Sequence, residues 1–200
     1  MLALLVAAAV SANAPQWIKD GKQPSAEDAA SRMARCDVTR PNARFNDLLQ
    51  EDVLAFPSDE ALNGVQLTCI AQVAFDTGYE VELPESNLAA YYRSSQEISR
   101  PWTVDLAREW LEEQGKLEGL PVRDPSMTDQ QFAKVLEAHC GPDAKGLLSS
   151  EFGPHSIAPS TAGANFEDFS RTAEAGLCLL ASGAVEDFEI YIIGNEKVAE

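Results

Sequence analysis

Apolar positions along the chain recur at two spacings, one helical and one alternating. After Ser25, Ala29, Met33 and Cys36 follow at helical spacing, with Asp28 in the third helical position behind a Ser N-cap. That helix is expected to end near Cys36, before Arg40-Pro41. Phe45, Leu48 and Leu49 read as a short helical turn inside a longer loop. A second helix is expected behind Ser58, with Leu62, Val65, Cys69 and Val73 as its stripe and Gly78 as its stop. Tyr79, Val81 and Leu83 then alternate with Glu80 and Glu82, which predicts a half-buried strand.

The middle of the chain reads as helical. Leu88, Tyr91 and Tyr92 suit one short helix. Thr103 is the expected cap of the next, with Val104, Ala107, Trp110 and Leu111 on one face and Gly115 closing it. Thr128 and Gln131 form a capping box, followed by Phe132, Val135, Leu136 and His139 at i, i+3, i+4 and i+7. Residues 141–164 are rich in Gly and Pro and read as a loop with a turn at Leu147-Leu148. Asn165 is expected to cap a helix carrying Phe169, Ala173, Cys178 and Leu180, with a turn from Gly183 to Asp187. Phe188, Ile190 and Ile192 then alternate with Glu189 and Tyr191 as a last strand.

The two ends of the chain share an order: capped helix ending at Cys, loop, helix containing Cys, turn, strand. With Cys69 set on Cys178, Tyr79, Val81 and Leu83 fall on Phe188, Ile190 and Ile192. The expected fold class is therefore α+β and mostly helical. Two similar helix–loop–helix–strand halves, 25–84 and 128–194, are joined by a helical linker, 85–127. Each half carries a local disulfide, and the two strands pair as a small two-stranded sheet. A length of 200 residues suits one compact domain, 13–200, with a real core.

Residues 1–12 change the picture of where the chain works. Residues 2–10 are unbroken apolar, followed by Ser11, Ala12, Asn13 and Ala14. An apolar run too short to span a bilayer, followed by small residues, is the pattern of a signal peptide. Cleavage after Ala12 is expected; a cut after Ala14 would put rigid Pro15 just past the scissile bond. The Lys or Arg that usually precedes such a run is missing, so a start upstream of Met1 stays open. Export makes oxidation of Cys36, Cys69, Cys140 and Cys178 the expectation. Of three connectivities, Cys36–Cys69 with Cys140–Cys178 is preferred, because each pair is local and the separations, 33 and 38, match. Loops of that size are worth roughly 4 kcal/mol each in a chain-entropy model. Zinc is disfavoured: there is no C-x-x-C, and the only histidines are His139 and His155.

Charge mainly excludes. Asp and Glu number 32 against 15 Lys and Arg, a net −17, and residues 1–14 carry none of it. Such a surface repels phosphate backbones, so nucleic acid is not an expected partner, nor is a membrane span expected in the mature chain. No G-x-S-x-G, calcium loop or phosphate-binding glycine loop is present. No cofactor, metal or catalytic residue is assigned. His155 could act as a base for Ser149, Ser150 or Ser156, but a histidine in a Gly/Pro stretch is more often solvated. Glu109 and Glu113, at i and i+4, fit a solvated helix face better than a catalytic pair. Tyr91, Tyr92, Trp102 and Trp110 fall close together beside several acids and form the candidate binding surface. The expected function is a periplasmic or secreted protein-binding module whose partner is another envelope or secreted protein. A hydrolase using His155 or a carboxylate pair and a structural envelope protein are the alternatives.

Overall fold

A computed structural model describes residues 11–59, 61–148, 153–157 and 166–192, the side chains of 166–171 excepted. The apolar run 2–10, Ser149, Ser150, the Asn165 cap, the Phe169 side chain and the tail beyond Ile192 lie outside the described residues. The fold is α+β, and the chain divides into two compact units between Trp102 and Thr103.

The first unit opens with α1, Gln16–Lys19. Trp17 of this segment lies against Gly78, Gln23 Nε2 donates to the Gly78 carbonyl at 3.0 Å and Tyr79 donates to the Pro24 carbonyl at 2.9 Å. A Cβ on Gly78 would stand 2.8 Å from the indole nitrogen, so this stop position has no room for a side chain. Helix α2, Ala26–Met33, starts as its sequence implies, with the Ser25 hydroxyl accepting from the Asp28 amide. A 3-10 turn, Ala34–Cys36, carries it to the first cysteine.

The segment expected as a helical turn is instead a β-hairpin. Strand β1, Asn42–Asn46, pairs antiparallel with β2, Glu51–Ala55, from Asn42 opposite Ala55 to Asn46 opposite Glu51. The 45, 48, 49 spacing imitates a helix, but Asn46 captures the turn locally. Its side-chain oxygen accepts from the Leu48 and Leu49 amides at 2.9 and 3.1 Å, and its carbonyl accepts from Gln50. Such an Asx bond competes directly with helical hydrogen bonding.

Helix α3, Gly64–Thr77, begins later than expected and buries a different face. Ser58 is not its cap. Asn63 is, in a reciprocal box with Gln66. Leu67, Ile70, Ala71 and Ala74 are buried, whereas Val65 is 82% exposed. This stretch is apolar on more than one side, so periodicity alone did not select the buried one. Strand β3, Glu80–Glu82, pairs parallel with β2, Leu54 opposite Val81.

Helix α4, Glu85–Glu113, is one 29-residue helix where two were expected. Thr103 is inside it, not at its start, and so is Pro101. A proline costs a helix interior about 3 kcal/mol through its missing donor and its ring. Burial of Tyr91 before it, and of Ala107 and Leu111 after it, carries the helix across that penalty.

The second unit receives the end of α4, closed at Gly115, φ +65°, with the Lys116 amide reaching back to the Leu111 carbonyl at 2.7 Å. Helix α5, Asp129–Cys140, has the expected Thr128–Gln131 box, and Phe132, Ala133, Leu136 and Cys140 are its buried face. Strand β4, Ser156–Ile157, helix α6, Phe166–Val185, and strand β5, Tyr191–Ile192, complete it. The helix runs through Gly183, where a turn was expected.

The expected pairing between the strands of the two halves does not occur. β3 joins β1–β2, while β5 pairs parallel with β4, Ile157 opposite Ile192. Both true partners lay in segments read as loop, so the two recognised strands had only each other. The disulfides are Cys36–Cys69 and Cys140–Cys178, each with 5.7 Å between Cα atoms and each inside one unit. Among the described residues no helix is long and apolar enough to cross a membrane.

Ile70→Ala, at a fully buried position, is expected to cost about 2–5 kcal/mol in chemical unfolding. Val65→Ala should stay within roughly 0.5 kcal/mol.

Candidate functional site

In the second unit several described side chains converge around His155. Gly153, φ +95°, turns the chain into β4, and the His155 ring stacks on Phe188 at 4.3 Å between centroids. Phe188 is buried and meets Phe132 of α5 edge-on at 5.2 Å. The imidazole is thus fixed by an aromatic floor before any polar contact is counted.

Its two nitrogens are both engaged. Nδ1 lies 2.7 Å from the Glu189 carbonyl and Nε2 lies 3.0 Å from Asp129 Oδ2. A carbonyl only accepts, so Nδ1 carries a proton; a carboxylate only accepts, so Nε2 carries one too. The geometry is that of an imidazolium. Burial pulls against its charge, but the hydrogen bonds to Asp129 and to the Glu189 carbonyl outweigh burial, and the net shift is upward.

Asp129 is the first residue of α5, where the helix N-terminus favours an anion. It accepts from His155 and from the Arg123 guanidinium, and these bonds hold its carboxyl below the usual range, the His155 bond first. The guanidinium also lies over the Phe132 and Phe188 rings, 5.9 and 5.7 Å from their centroids. The Arg123 backbone amide donates to Glu186 Oε2 at 3.4 Å. A general base needs a lone pair aimed at the proton it removes. His155 has none to offer in this arrangement, which is a brace joining β4, the approach to β5 and the start of α5.

The sequence marked His155 but not its partners. Asp129 is 26 residues away and Glu189 contributes only its carbonyl, so no spacing could have joined them. Glu109 and Glu113 stand exposed on α4. His139 faces the Lys116 carbonyl at 2.9 Å, and Lys116 Nζ donates in turn to the Cys140 carbonyl.

The candidate aromatic surface is largely spent on packing. Tyr91 is buried in the core of the first unit, and Trp102 meets Phe75 edge-on at 5.9 Å. Trp110 packs on the core of the second unit. Tyr92 alone of the four is exposed.

Exposed apolar surface collects instead at the β1–β2 hairpin, which the sequence reading missed. Leu48 is 90% exposed, with Phe45 and Leu49 about half exposed. Phe45 stands directly opposite Asp52, and Asp47 and Glu51 complete an acidic surround. At the other end of the hairpin, where Asn42 faces Ala55, an open groove of about 540 Å³ is lined by Arg40, Arg44, Phe56 and Leu83 among others. Both guanidiniums already meet carboxylates, those of Glu27 and Glu82. Among the described residues no cluster of His, Cys, Asp and Glu could hold a metal ion.

No protein-family model matches the chain, nor does any curated protein or solved structure.

The aromatic floor depends on a close approach at Gly183. A Cβ there would meet the Phe188 carbonyl at 2.5 Å and the Ile190 side chain at 2.8 Å. Gly183→Ala is expected to destabilise by about 1–3 kcal/mol in thermal melts. Gly64→Ala, with nothing within 4 Å, should be neutral or slightly stabilising.

Proposed function

We propose that the protein is a small, non-catalytic module of the periplasm or extracellular space that binds another protein through the tip of its β1–β2 hairpin. Two disulfides suit an oxidising compartment, and the described residues include no helix able to cross a membrane. The observation that carries the reading is Leu48, held 90% exposed by a turn whose amides are satisfied by Asn46. A leucine presented on a braced turn, with Phe45 and Leu49 beside it, has the character of a contact surface. The flanking Asp47, Glu51 and Asp52 favour a partner whose apolar pocket is rimmed by Lys or Arg. Tyr92 is the one exposed member of the aromatic group and is the second candidate contact. A common plan for the two halves, 25–84 and 128–194, belongs to the same proposal. It is supported by two bonds that each run from the end of one helix into the next long helix.

The test compares variants by capture from envelope extract, followed by affinity measurement on the captured protein. Wild type and Val122→Glu, altered at an exposed position away from the hairpin sequence, should retain the same partner. Leu48→Glu/Leu49→Glu should weaken it by more than about tenfold, and added salt should weaken the wild-type complex. Equal retention by all three proteins would refute the hairpin as the binding surface.

A further inference from the structure

The brace around His155 is itself responsive. We infer that His155 is a proton-dependent pin, fastening β4 and the approach to β5 to the first turn of α5 only while both ring nitrogens carry hydrogen.

The acceptors around the ring decide the response. When the imidazolium gives one proton to water, one ring hydrogen is left for two acceptors, the Glu189 carbonyl at 2.7 Å and Asp129 Oδ2 at 3.0 Å, neither of which can donate. The nitrogen that gives up its hydrogen then turns a lone pair toward an acceptor, and at that contact attraction becomes repulsion. Around the ring stand Phe188 beneath it, Asp129 on α5, Arg123 before α5, Glu186 at the end of α6 and Glu189 before β5. The Glu189 carboxylate is engaged by the Tyr191 hydroxyl and the Glu186 carboxylate by the Arg123 amide, so Asp129 is the acid bound to the imidazole. His155 also accepts the Tyr191 amide on its own carbonyl at 2.7 Å. One residue therefore holds the lead into β5 by side chain and backbone together, and loosening the ring loosens the β4–β5 ladder.

The direction of the pH response is fixed. His155 titrates above its ordinary value of 6.5, so its contribution is complete below about 6.5 and is lost as pH rises through the raised value. Asp129 titrates below its ordinary 3.8, so its contribution is present above about 3.8 and is lost as pH falls through the lowered value. The joint is firmest in the mildly acid window between the two.

The experiment is NMR on the full, oxidised chain from pH 5 to pH 9. It follows the imidazole resonances of His155 and His139 together with exchange of the Tyr191 amide. The His155 midpoint should lie above 6.5. Across it, Tyr191 protection should fall further than ordinary base-catalysed exchange accounts for. In Asp129→Asn the midpoint should drop, and the pH dependence of Tyr191 protection should disappear. His155→Gln should flatten the pH dependence of melting between pH 5.5 and 8.5; should that variant fail to fold, Asp129→Asn decides alone. A His155 midpoint at or below 6.5, Tyr191 protection indifferent to it, or an Asp129→Asn protein that titrates like wild type would overturn the pin.

Discussion

Each unit depends on one covalent constraint, a disulfide from the C-terminal end of a helix into the body of the next long helix. Cys36 follows α2 and reaches Cys69 in α3; Cys140 ends α5 and reaches Cys178 in α6. Each bond closes a loop that contains, or directly precedes, the strands of its own unit. In the first, the hairpin lies within that loop, and Leu54 is buried with α2 and α3 side chains in one cluster. In the second, β4 lies within it, and Phe188 follows α6 into the same core as Phe132 and Leu136. Units of this size bury a smaller share of their surface than large domains. A crosslink worth roughly 4 kcal/mol in the chain-entropy model is then a large fraction of the usual net stability.

Cations are scarce in this chain, and the structure uses them at joints. Arg44 meets Glu82 across the sheet face that carries Val53, which is fully buried. Arg123 and His155 converge on Asp129 where α5 begins. Exposed ion pairs contribute little singly. The His155 cluster differs because it is built on stacked rings and a main-chain acceptor, so its geometry is set before its charge.

What was legible in the sequence was what is local. Ser25, the Thr128–Gln131 box, Gly78 and Gly115 are signals read within one turn of chain, and each acts as expected. The cysteine spacing also pointed to the pairs that form. The hairpin was not legible because Asn46 rewrites a helical spacing with one side-chain oxygen, and because Arg44 and Phe45 are both exposed and break strand alternation. The face of α3 was ambiguous because two stripes of the same period overlap. Pro101 stops helices by local rules, and only tertiary burial of Tyr91 and Leu111 carries α4 past it. β4 is two residues long, too short for any periodicity. The partners of His155 were hidden for a different reason, since one is a distant carboxylate and the other a main-chain oxygen without side-chain identity.

The central claim is that each unit is closed by its own crosslink. Mass mapping of unreduced proteolytic fragments tests it most directly. Peptides bearing Cys36 should be joined only to those bearing Cys69, and Cys140 only to Cys178, with no free thiol in protein recovered from an oxidising compartment. A bond joining Cys36 or Cys69 to Cys140 or Cys178, or reduced cysteines in that protein, would contradict it.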